Sequence, residues 1–141
     1  MITLALARTI LDAALAHARA AALQPLAVIV LDAGGHPIAF AREDGASLFR
    51  HDIARAKALG ALGMGADTRV LAERAQANPV FFQSVAAVVG GAIAFSPGGV
   101  LVHDADGAIL GAVGISGDTG DRDEACARAG IAAAGFEGEA A

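Results

Sequence analysis

The stretch from Ile109 to Glu124, I-L-G-A-V-G-I-S-G-D-T-G-D-R-D-E, constrains the fold more than any other part of the chain. Strand formers Ile109, Leu110, Val113 and Ile115 interleave with Gly111, Ala112 and Gly114. Glycine weakens a strand, so two of them imply that another backbone or a ligand comes close. Ser116 to Gly120 has the composition of a tight turn. Asp121, Asp123 and Glu124 follow, where acids favour the positive end of a helix. The unit reads as buried strand, glycine-rich turn and helix start. Glycines 111, 114 and 117 do not make the G-x-G-x-x-G dinucleotide fingerprint, and no Lys-Ser or Lys-Thr follows to make a P-loop. Asp118, Asp121 and Asp123 lack the spacing of an EF-hand calcium loop. The plain structural reading is a capped helix start after a tight turn.

Upstream, Leu4, Ala7, Leu11, Ala14, Leu15, Ala18 and Ala22 recur at three-four spacing. They predict a long helix, capped by Thr3 and ended by Pro25, with His17 off the apolar stripe. Ala27–Leu31 and Ile38–Ala41 flank a Gly-Gly turn and read as a β-hairpin. Arg42 to Ala46 is a charged loop, and Ser47 is the expected cap of a helix over about 48–64. The core stripe expected on that helix is Phe49, Ile53, Ala56 and Gly60. A shorter helix, about 68–77, ends at Asn78-Pro79. Val80 to Phe95 fits either helix or strand.

Val100–His103, the Asp104–Gly107 turn and the opening stretch form a second hairpin or a three-stranded meander. The last helix is expected over about 121–135, with Ala125, Ala129, Ala132 and Phe136 inward and a frayed tail at 138–141. Short loops between strands predict antiparallel pairing with helices covering the sheet, not a doubly wound fold. No linker or internal repeat divides residues 1–141, so one domain is expected.

Hydrophobic residues make up 55 % of the chain, yet aromatics only 4 % and charged residues only 18 %. So few charges in a small, alanine-rich chain predict a surface hidden in a homo-oligomer. The net charge of -5 argues against a nucleic-acid partner. Cys126, the single cysteine, has no internal disulfide partner, which points to a reducing cytoplasm. Arg8 and Asp12 interrupt the N-terminal apolar run, unlike a signal peptide. The longest uncharged run, 75–103, is broken by Asn78-Pro79, Gly90-Gly91 and Pro97-Gly98-Gly99 and so lacks the roughly 20 continuous apolar residues needed to cross a bilayer; no membrane partner is expected.

The middle helix carries the best cationic patch. Arg50 and Lys57 share one face, and His51 and Arg55 stand four apart on another. For each residue the bland reading is a solvated basic face. Together with Asp44 they are candidates to receive a carboxylate-bearing ligand. Nucleophilic catalysis has little support: Ser116 lies in G-I-S-G rather than G-x-S-x-G, and Cys126 sits among alanines. The four His and one Cys have no metal-ligand spacing.

Four segments carry a resemblance to a known family: V-I-V-L-D-A-G-G-H-P-I at 28–38, R-E-D-G-A at 42–46, A-R-A-K-A-L-G-A at 54–61 and G-A-V-G-I-S-G-D-T-G-D-R-D-E at 111–124. Over nearly its whole length the chain resembles the GlcG/HbpS-like haem-binding family, which includes the PduO C-terminal domain. The resemblance implies an α/β sandwich of profilin-like type, with a central antiparallel sheet of about five strands covered by helices. It also implies a homo-oligomer and a small-molecule ligand, haem or a related tetrapyrrole. Two departures stand out: Gly60 replaces the family's usual threonine, and Pro97-Gly98-Gly99-Val100 replaces Gly-Gly-x-Pro. Both reshape the expected pocket. The resemblance marks no histidine as axial, and His51 is the remaining candidate.

Three functional readings follow. In the first, the domain binds a tetrapyrrole in a flat apolar cleft with one axial ligand. In the second, it is a cofactor-free enzyme on a small carboxylate or hydroxy acid. Arg55, Lys57 and Arg50 would hold the acid and His51 or Asp44 would move a proton. Amides around Gly98, Gly99, Ser116, Gly117, Asp118 and Thr119 would meet the developing negative charge. The third is an oligomeric scaffold without chemistry.

Overall fold

A computed structural model describes residues 1–136. Helix α1 (Leu4–Ala20) leads into strands β1 (Ala27–Asp32) and β2 (Pro37–Arg42). Helices α2 (Arg50–Met64), α3 (Thr68–Ala77) and α4 (Pro79–Val88) follow, then β3 (Gly99–His103), β4 (Ile109–Ser116) and α5 (Gly120–Ala133). The expected tail at 138–141 lies outside the described residues. No helix among those described is long and apolar enough to cross a membrane.

The strands form one antiparallel sheet in the order β2-β1-β4-β3. It has four strands, not about five, because the ambiguous 80–95 segment resolves into helix. Pro79 occupies the first turn of α4, where its missing amide costs nothing. Phe82 packs edge-on against Phe95 at 5.3 Å, so the segment after α4 folds back on it and does not extend the sheet.

Side chains alternate across the sheet. Val28, Val30, Val100, Val102, Val113 and Ile115 form one core with α1 and α5. Ala27, Ile29, Leu31, Leu101 and Ala112 form another beneath α2. Helices on both faces explain why Ala27–Leu31 is an unbroken apolar run. Each fully buried Ile, Leu or Val contributes about 1.5–3 kcal/mol relative to exposure.

Glycines on β4 set how closely the layers approach. A Cβ on Gly111 would lie 2.1 Å from the Leu31 carbonyl oxygen, and one on Gly114 only 2.0 Å from that of Ala54. Backbone contact of this kind admits only small side chains on the facing helix. α2 accordingly turns Ala54, Ala58, Gly60 and Ala61 inward, with Lys57 buried at the end of the contact beside Gly98 and Gly99. Of the expected stripe Gly60 is buried as expected, but Ile53 and Ala56 are only half-buried and Phe49 is 66 % exposed. The inward face of α5 is rotated, to Asp123, Glu124, Cys126, Ala127, Gly130 and Ile131.

Capping agrees with expectation at one end and departs from it at another. The Thr3 hydroxyl accepts the Leu6 amide at 3.1 Å. Ser47 does not cap α2: Phe49 holds the cap position without a side-chain bond, and the Ser47 carbonyl accepts the Arg50 amide.

Candidate functional site

One helical step separates residues by about 100°, so the cations of α2 divide between two faces. Arg50 and Lys57 point towards the end of β4. Arg50 Nη1 donates to Ser116 Oγ at 3.1 Å. Lys57 Nζ donates to the Ile115 carbonyl at 2.9 Å and to Asp123 Oδ2 at 3.1 Å. The Lys57 and Asp123 side chains are 3 % and 1 % exposed. Burial holds Lys57 below the usual lysine pKa, with the Asp123 carboxylate opposing that shift. This ion pair ties α2 to the start of α5.

Gly98 and Gly99 lie against the same lysine. A Cβ on Gly98 would stand 2.8 Å from Lys57 Nζ, and one on Gly99 2.3 Å from the Lys57 carbonyl oxygen. Gly98 also has φ +130°, a conformation that L side chains rarely adopt. The Gly99 amide donates to Thr68 Oγ1 at 2.8 Å. These glycines make room for α2.

The Ser116–Gly120 turn spends its hydrogen bonds inside the chain. The Asp118 amide donates to Asp123 Oδ1, and Asp118 Oδ2 accepts the Gln24 amide at 2.8 Å. Asp118 Oδ1 accepts from the Thr119 amide and from Arg122 Nη1. The Gln24 and Thr119 amides lead the causes that hold the Asp118 carboxyl below its usual pKa. Gly117 is required because a Cβ would sit 2.3 Å from the Pro25 carbonyl oxygen. The Thr119 hydroxyl caps α5 by accepting the Arg122 amide at 3.3 Å.

His51 and Arg55 occupy the outward face of α2. The His51 ring meets Phe40 of β2 edge-on, with centroids 4.6 Å apart. His51 is half-buried and Arg55 exposed, and neither forms a side-chain hydrogen bond among the described residues. Around them Leu48 is 77 %, Phe49 66 % and Phe40 42 % exposed. Asp44 lies elsewhere, in a polar hollow of about 400 Å³ lined by Arg19, Pro25, Arg42 and Glu43. The structure therefore gathers Arg50, Lys57, Gly98, Gly99 and Ser116 at one junction. It sets His51 and Arg55 on a separate open face and leaves Asp44 apart.

Several residues of this region escape the sequence reading. Asp123 reads there as a helix-start acid but is the buried partner of Lys57. Arg69 and Arg128 both pair with Glu124, and Arg128 also pairs with Asp67 at 3.1 Å. Phe40 reads as a strand residue but provides the aromatic wall beside His51. Only Glu124–Arg128 has a local signal, the i,i+4 spacing on one helix; the others join distant segments.

The family described as haem degrading protein HbpS-like matches residues 2–132. Among solved structures, the PduOC:heme complex is similar at 26 % identity with a TM-score of 0.85, covering 94 % of this chain and 94 % of that one. A double mutant of HbpS from Streptomyces reticuli is 33 % identical, with a TM-score of 0.78 over 92 % of this chain and 84 % of that one. The Klebsiella pneumoniae protein ORFY is 25 % identical, with a TM-score of 0.87 over 95 % and 90 % of the two chains. No curated protein sequence matches.

Proposed function

The chain belongs to the HbpS-like haem degrading protein family, and on that premise we propose that it binds haem on the outward face of α2. The observation that carries this reading is the similarity to the PduOC:heme complex over 94 % of both chains.

The residues present fit the group. Haem iron takes an imidazole ligand, and His51 presents a ring that no hydrogen bond among the described residues engages. Phe40 stands at its edge, 4.6 Å away between centroids, and orients it. Phe49 and Leu48, both largely exposed, supply apolar surface for the macrocycle. Arg55, one turn or roughly 6 Å further along α2, is placed to pair with a propionate. When bound, haem supplies an iron centre for redox and oxygen chemistry.

The face is open, and a flat apolar ligand needs cover on both sides. A second copy of the chain supplies it, which also accounts for exposed Leu48 and Phe49. The acid/base reading receives less support. Lys57 is committed to Asp123, the Asp118 and Thr119 amides donate to the Asp123 and Asp118 carboxylates, and Asp44 is apart from His51.

Hemin titration tests the proposal. The wild type should give a sharp, saturable Soret band, and His51→Ala should lose or shift it. A broad, unsaturable absorbance in the wild type would remove haem as the ligand. An unchanged Soret band in His51→Ala would remove His51 as the iron ligand.

A further inference from the structure

Between α2 and the segment that follows α4 lies a cleft of about 310 Å³, lined by Leu59, Gly60, Gly63, Met64, Val85, Val89, Ala92 and Ile93. None of these side chains carries a charge or a hydrogen-bond donor. We infer that this cleft is a binding site for an uncharged apolar or aromatic small molecule, distinct from the His51 face.

The cleft is built by particular backbone choices. Gly90 and Gly91 have φ of +67° and +79°, which turns the chain after α4 so that Ala92 and Ile93 come back against α2. Gly60 lets Ile93 approach: a Cβ there would lie 2.6 Å from Ile93 Cγ1. Ile93 thus forms a floor where the family's usual threonine would place a hydroxyl. At Gly63 nothing lies within 4 Å of the Cβ position, so the missing side chain leaves open space. Phe82 holds the wall, packing edge-on against Phe81 at 5.2 Å and Phe95 at 5.3 Å.

The chemistry of the lining selects the occupant. A water molecule is stable in a niche only with about two to four polar partners, and these side chains offer none. A charged ligand would lose its hydration without compensation. The volume sits at the lower end of the roughly 300–1,000 Å³ range of small-molecule sites. The Met64 thioether is a polarizable contact suited to an aromatic ring. Leu59 is eight residues beyond His51, or about 12 Å along the helix axis, which separates the cleft from the imidazole.

The test uses Nile red, an uncharged dye that brightens in apolar surroundings, with the full-length protein. Wild type should bind it saturably at one dye per chain. Gly63→Leu should weaken binding at least tenfold while the thermal midpoint stays the same or rises. The new side chain has room, and leucine favours a helix more than glycine does. His51→Ala should leave dye binding unchanged while altering the hemin spectrum, so the two sites fail separately. Wild-type dye binding that does not saturate, wild-type affinity in Gly63→Leu, or stoichiometric displacement of dye by hemin would each overturn the inference. Loss of dye binding as protein concentration rises would also overturn it, by showing that a second copy fills the cleft.

Discussion

Replacing Asp123 by alanine measures what the junction between α2 and α5 contributes. The Lys57 and Asp123 side chains are 3 % and 1 % exposed, with Nζ and Oδ2 3.1 Å apart. Removing the carboxylate strands an ammonium group that water does not reach, a loss of about 3–5 kcal/mol in comparable buried pairs. Asp123 Oδ1 also accepts the Asp118 amide at 2.9 Å. That donor is only part-buried, so its orphaning adds about 1 kcal/mol. The expected total is therefore about 4–6 kcal/mol, a large share of the roughly 5–15 kcal/mol that keeps a domain folded. In a chain of this size the thermal midpoint should drop by on the order of 10 °C or more.

The sign of the pH dependence is a second check. Burial already holds Lys57 below its ordinary pKa of 10.5, and Asp123 is the group that opposes the shift. Without Asp123, the folded chain binds fewer protons than the unfolded chain between the lowered value and 10.5. The variant should therefore gain stability as pH rises through that window. Urea unfolding followed by far-ultraviolet circular dichroism, at about pH 7 and about pH 9.5, reads both quantities. Replacing both partners together, with Lys57→Met and Asp123→Leu, should recover most of the loss, since a hydrophobic pair can substitute for a buried ion pair. A cost below about 1 kcal/mol for Asp123→Ala, the range of solvent-screened pairs, would refute the argument.

Two further outcomes are expected. Gly114→Ala should fail to fold or be severely destabilised, because its Cβ would meet the Ala54 carbonyl oxygen at 2.0 Å and Ala58 Cβ at 2.9 Å; soluble expression and circular dichroism read this, and a wild-type midpoint would contradict the packing. Cys126 should resist iodoacetamide in the native protein at about pH 8 and react on unfolding, since burial pushes its thiol up to about 11; mass spectrometry reports the adduct, and rapid native labelling would show that α5 opens.

What the sequence discloses and what it hides divide by range. The unbroken run Ala27–Leu31, the Gly-Gly turn after it, the Thr3 cap and the strand–turn–helix of 109–124 rest on neighbours within a few positions, and the structure contains each of them. The rotation of α2 is different. Its inward face is chosen by Gly114 on β4, while residue size alone favours Phe49 and Ile53. Arg50 meets Ser116, and Lys57 meets Asp123, across 66 residues each. The basic helix was legible as a patch, but not its division into a committed pair and an open one. Val80 to Phe95 fits helix and strand alike in the sequence, and Pro79 with the folding-back of Phe95 decides it for a helix followed by a non-strand segment.

The layer beneath α2 has a thermal consequence. Where the layers lie closest, Ala54 and Ala58 meet Gly114, with Ile29, Leu31 and Leu101 packed around that line, so the line itself brings little hydrocarbon into water on melting. The heat-capacity increment of unfolding grows with the apolar area exposed, about 0.45 cal/K/mol for each Å². The increment then comes from the Ile, Leu and Val of the two cores rather than from that seam, and calorimetry should find it near the common value of about 12–15 cal/mol/K per residue.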